Sequence, residues 1–143
     1  MLGGICVQRV RCITSLKEPY YTYVRSGEKT WEIRLKKDDW IDVQEGDWVL
    51  AFRKDGQGEF MIFEVIERRD FPGFRAALEG VGFENAVPYA ENLEEALEEY
   101  FKIYGGQNKM VLALRIRTMA EFCGKISHEK LEKYLANFRG DVA

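Results

Sequence analysis

Apolar and polar residues alternate from Ile5 to Ile13, the two-residue period of a strand with one buried face. The same period governs Thr30 to Lys36, where Trp31, Ile33 and Leu35 point one way and Thr30, Glu32, Arg34 and Lys36 the other. Between these segments, after Ser15, the residues Tyr20, Tyr23 and Val24 fall at helical spacing and share a face. Pro19 suits the first turn of that helix, and Gly27 suits the position just past its end, where left-handed backbone favours glycine. Residues 47–54 read as a third strand, the DGQG of 55–58 as a hairpin loop and residues 59–68 as a long fourth strand. A short helix over 71–80 precedes an irregular stretch to Pro88. Residues 91–105 read as a third, acidic helix with Asn92 as N-cap and Gly105 after its last turn. Residues 109–117 are apolar enough for a central strand. The chain ends in an amphipathic helix with Leu131, Tyr134, Leu135 and Phe138 on one face. About five strands with helices between them predict an α+β domain whose sheet curls into a small barrel.

At 143 residues the chain is long enough for one domain with a proper core. No apolar run approaches the ~20 residues that a membrane helix needs, and Arg9 arrives too soon for a secretory signal. Cys6, Cys12 and Cys123 are odd in number and lack CxxC spacing, which argues against a disulfide framework or a structural zinc site. His128 is the single histidine, so no two-histidine metal site or histidine acid–base pair is available. The expectation is a cytoplasmic protein without metal or cofactor. Net charge is −3, but its distribution is uneven: Glu79, Glu84, Glu91, Glu94, Glu95, Glu98 and Glu99 occur with no Lys or Arg among them. Without those seven, 17 acids face 21 bases, so the remainder of the chain is mildly basic.

Chemistry concentrates in GEKTWEIR, residues 27–34, where Glu32 and Arg34 stand two apart on the polar face of the second strand. Taken alone, such a face is most simply a solvated strand with an ion pair worth ~0–1 kcal/mol. Glycine, lysine, glutamate and arginine at this spacing, however, resemble the GxKxxExR signature of the ASCH family, a branch of the PUA-like superfamily. The surroundings are similar too, in order along the chain: PYYTYVRSG, VQEGDWVLAF, FEVIERRDFPGFRAAL, ENLEEALEEYFKIYG and MVLALRI. The resemblance spans about Ile13 to Arg117, giving a PUA-like domain over 1–117 and a C-terminal extension over 118–143 whose helix packs on the same domain. It implies a barrel of five to six strands with flanking helices and a polar cleft that binds RNA, a nucleotide or a modified nucleoside.

One bacterial branch of the family is an amidohydrolase acting on N-acetylated cytidine, with a lysine, a threonine and a glutamate at work. By position its lysine falls on Lys29, its glutamate on Glu91 and its threonine on Glu32, which is a departure. As chemical groups, Lys29 can bind phosphate or stabilise an oxyanion, or serve as a base if its pKa is depressed. Glu32 or Glu91 can activate water if burial raises its pKa. Arg34 offers a planar fork to a phosphate or base edge, and Thr30 offers one hydrogen bond. Tyr21, off the Tyr20/Val24 face, is the first choice for stacking on a base. Trp31 and Trp48 read as core, and Trp40, after a charged loop, as the most exposed tryptophan. Arg9, Arg11, Arg115 and Arg117 form either a phosphate-binding stripe or merely solvated strand faces. The expected function is thus a binding module in which Lys29, Thr30, Glu32, Arg34 and Tyr21 contact RNA or a nucleoside. The alternative is an amidohydrolase built on Lys29, Glu32 and Glu91. A scaffold role for the last helix rests only on its apolar face.

Overall fold

In the computed structural model, which describes residues 10–56, 58–106, 109–127, 129, 130 and 133, the alternating segments become strands of one curled sheet. The order along the chain is β1 (Val10–Leu16), α1 (Tyr20–Ser26), β2 (Trp31–Leu35), β3 (Trp48–Arg53), β4 (Glu59–Phe71), α2 (Phe74–Val81), α3 (Phe83–Ala86), α4 (Leu93–Tyr104), β5 (Val111–Thr118) and β6 (Gly124–Lys125). Short 3-10 turns occupy Asp38–Asp42 and Ala120–Phe122. Strands pair in the order β1-β3-β4-β5-β2, with β6 added to the start of β4. Only β1 and β3 run parallel; the other pairs are antiparallel.

Curling gives the sheet two apolar sides. Inside the curl, Cys12, Leu16, Val49, Ala51, Met61, Phe63, Leu112 and Leu114 pack together, with Tyr21 and Val24 of α1 closing one end. Outside it, Trp31, Ile33, Leu35 and Val111 pack against Phe74, Leu78, Leu97 and Tyr100 of α2 and α4. Each large side chain removed from water there contributes ~1.5–3 kcal/mol. Asn92 caps α4, its side-chain oxygen accepting from Glu95 N–H at 2.9 Å, and Gly27 ends α1 in the left-handed conformation at φ 86°.

Several expectations shift. Residues 5–9, His128 and the terminal-helix face of Leu131, Tyr134, Leu135 and Phe138 lie outside the described residues. The first strand runs on to Leu16 because Ser15 and Leu16 pair with Phe52 and Arg53, and this ladder outweighs any helix-starting tendency of Ser15. Pro19 consequently stands at the cap position, and the helix opens at Tyr20. The irregular stretch before Pro88 contains the single turn α3. Past Arg117 the chain stays in the sheet, with Gly124 and Lys125 opposite Phe60 and Glu59. Trp40 is half-buried, more open than Trp31 and Trp48, which are core. Arg11, Arg115 and Arg117 each face a carboxylate, of Asp47, Glu67 and Glu64 respectively, so they form no uninterrupted cationic stripe.

Candidate functional site

The sheet is not closed: β1 and β2 end the strand path, and no backbone ladder joins them among the described residues. A cavity of about 220 Å³ occupies the gap. Its walls come from the end of β1 and the loop after it, from β2, and from Tyr100 and Tyr104 on α4. These tyrosines, with Tyr20 of α1, make it strongly aromatic.

At its base lie two buried charges. Lys29 follows the helix-ending Gly27, and its side chain is driven inward, leaving the residue 2% exposed. Its ammonium donates to the Trp31 and Ala86 carbonyls at 2.7 Å each and lies 3.4 Å from Glu32 Oε1 and 3.5 Å from Tyr100 Oη. Glu32, 4% exposed, turns its other oxygen to Arg34, whose Nε and Nη2 reach Oε2 at 2.9 and 2.8 Å. The guanidinium in turn lies over the Trp40 ring, 4.8 Å from its centroid. Trp40 sits in a turn between β2 and β3, so the charged loop that suggested exposure folds back to brace the arginine. Tyr20 and Tyr89 share a hydroxyl hydrogen bond of 2.9 Å at the flank.

Electrostatics follow from this cage. Burial works against an ionised Glu32, but Arg34 and Lys29 together outweigh it and hold the carboxyl below its usual range. Burial pulls the Lys29 ammonium down from its ordinary value, with Glu32 opposing. Burial also disfavours the charged Arg34, yet contact with Glu32 leaves the guanidinium more basic than usual. Burial and the bond to Tyr89 push the Tyr20 phenol up, so it stays a neutral hydroxyl. Lys17 and Lys54, both exposed, stand at the rim and have no carboxylate partner among the described residues. The lining therefore carries four bases, Lys17, Lys29, Arg34 and Lys54, against the single acid Glu32. Glu32 has both oxygens engaged, so it serves as an anchor for two cations rather than as an available base.

Of the residues singled out in the sequence, Lys29, Glu32 and Arg34 meet here. Thr30 lies beside them but off the cavity lining, its backbone N–H bonded to Asn85 O and its carbonyl accepting from Ile116 N–H. Glu91 is exposed and stands away from the cavity, ahead of α4. Tyr21 is buried beneath α1 in the inner core and lines a different recess. The helix packs on its Tyr21/Val24 face, which turns Tyr20 rather than Tyr21 to the cavity, where the helical spacing had placed Tyr20 and Val24 together against the core. Tyr20, Tyr100 and Tyr104, which line the cavity, and Trp40, which backs Arg34, were not marked by sequence for these places. The one available signal for the α4 pair is two hydroxyl-bearing rings four residues apart, on the apolar face of the acidic helix. Among the described residues no cluster of three or more His, Cys, Asp or Glu is placed to hold a metal ion, and no helix is long and apolar enough to cross a membrane.

A family model for the ASCH domain matches residues 15–121. The hypothetical protein PH0355, a crystal structure, has a TM-score of 0.66 at 24% identity, covering 76% of this chain and 98% of that one. Protein PF0455 from Pyrococcus furiosus, solved in solution, has 0.56 at 23%, covering 75% and 96%. ASCH from Zymomonas mobilis has 0.64 at 15%, covering 89% and 80%. At these identities the likenesses show a common fold. No curated protein matches the chain.

Proposed function

Since the chain belongs to the ASCH domain family, we propose that it is a nucleic-acid-ligand binding module whose cavity holds one nucleotide, free or as part of RNA. The observation that carries this proposal is the excess of cations in a tyrosine-walled cavity, with four bases against one acid already committed to two of them. Such a site favours a ligand with negative charge and a flat ring. Phosphate answers Lys17, Lys54 and Arg34, and a base answers Tyr20 and Tyr104. Arg34 is pre-set by Glu32 on one side and Trp40 on the other, so little side-chain entropy is lost on binding.

Amide hydrolysis of an acetylated nucleoside draws on the lowered pKa of Lys29 alone and is the weaker reading. Glu91 does not reach the cavity, and Glu32 is held ionised by two cations, which makes it a weak base. The binding proposal is tested by titrating labelled single-stranded RNA hexamers at two salt concentrations, with Arg34→Ala as the comparison. The expected result is affinity that falls with salt and drops at least about tenfold in the variant. A folded Arg34→Ala protein with wild-type affinity would take the cavity out of the mechanism, and a wild type that binds neither the hexamers nor nucleoside 5′-monophosphates would refute the proposal outright.

A further inference from the structure

Beside the cavity lies a second recess of about 490 Å³, bounded by Tyr21, Arg25, Arg53 and Cys123 among others. The two meet at chain neighbours where β1 and β3 end. Lys17 and Lys54 line the cavity, whereas their chain neighbours Glu18 and Arg53 line the recess. Leu16 stands opposite Arg53 in the parallel β1–β3 ladder, and Lys54 N–H donates to Leu16 O at 2.8 Å, which ties the two halves of the divide together. Cavity and recess are thus lined by adjacent residues of the same two segments, and lysines carry the cavity side. On the far side Arg53 is committed to Glu59 at 3.0 Å and to Glu18 at 3.9 Å, while Arg25 has no carboxylate partner among the described residues.

We propose that this divide carries the phosphodiester link between consecutive nucleotides of a single-stranded RNA, one seated in the cavity and the next in the recess. The inference rests on the nucleotide-binding proposal above and adds that the ligand is a strand. Three observations point this way. The cavity, at about 220 Å³, is smaller than the ~300–1,000 Å³ of sites that enclose a whole small molecule, so it suits one unit of something longer. Uncommitted lysines stand where a backbone would have to cross. The recess beyond continues with Arg25, which has no carboxylate partner among the described residues, and with Tyr21. A duplex is excluded because a base inside the cavity must be splayed from its stack, as single strands allow.

The test is calorimetric titration of the full chain with uridine and adenosine 5′-monophosphates and with the corresponding RNA trimers and hexamers. Affinity should climb at least about tenfold from one nucleotide to three. The Lys17→Ala/Lys54→Ala double variant should narrow that ratio and reduce the salt slope by ~0.7 for each lysine that meets a phosphate. Equal affinity for monomer and hexamer overturns the strand inference while leaving the cavity as a mononucleotide site. A length dependence that persists in full in the double variant overturns it as well. Binding by none of the probes refutes the nucleotide proposal itself, and the inference with it.

Discussion

Replacing Lys29 with methionine tests the cage at the base of the cavity most directly. Methionine has nearly the same length and fills the same space, so the change removes a charge and its donors without opening a large void. It strands the Trp31 and Ala86 carbonyls, each now 2.7 Å from a donor, and leaves Glu32 with Arg34 alone. A buried acceptor left unsatisfied costs ~1–3 kcal/mol, and removing one member of a buried ion pair costs ~3–5 kcal/mol in all. Relief of the desolvation of the ammonium is already included in that total. For a chain of 143 residues each kilocalorie lowers the midpoint by about 3 °C, so Lys29→Met should melt about 10–15 °C below the wild type. Glu32→Gln should also destabilise, since it leaves two cations facing a neutral amide. The double variant should cost less than the sum of the two singles, because each has already broken the same contact. Scanning calorimetry and a urea titration read all three. A Lys29→Met protein that melts at or above the wild-type midpoint would mean that the cage adds nothing to stability, and the account of Lys29 as a tethered cation would be wrong.

Two further outcomes follow from the same electrostatics. The Glu32 carboxyl is held below its ordinary 4.5, so its stabilisation is complete above that pH and is lost as pH falls through the lower folded value; urea midpoints between about pH 6 and pH 3 should decline less steeply in Glu32→Gln, and parallel declines would contradict the pairing. Burial pushes the Cys12 thiol up to about 12, so iodoacetamide at about pH 8 should label it only in denaturant, as read by mass spectrometry, and rapid labelling of the native protein would show that the inner core is open there.

The architecture was legible because strand and helix periods are local. The alternation of Thr30–Lys36, the cap at Asn92 and the glycine after α1 each appear where the sequence placed them. What escaped depends on contacts between distant segments. The polar face of β2 reads as solvated by its pattern, yet Glu32 is 4% exposed because Lys29 and Arg34 close over it at the base of the cavity. Tyr100 and Tyr104 read as ordinary core of an amphipathic helix, and only the packing of α4 over β2 takes the Tyr100 hydroxyl to within 3.5 Å of Lys29. The choice between Tyr20 and Tyr21 turned on which side of a seven-residue helix packs inward, and a single turn of aromatic residues fits either answer. Glu91 was assigned by position in the chain, which carries no information on whether its side chain reaches β2.

The unjoined edges of β1 and β2 give the domain a mechanical character. Elsewhere, bending the sheet stretches rows of backbone hydrogen bonds, so the strands from β1 through β3, β4 and β5 to β2 behave as one stiff band. Across the gap there is no such row among the described residues, and α1 spans from one edge to the other along the chain. The molecule is in effect a split ring whose compliance is concentrated at the tyrosine-walled cavity. Spreading the split by a fraction of an ångström breaks no ladder bond among the described residues, and the Lys29–Glu32–Arg34 contacts, all seated on one lip, travel together and keep their geometry.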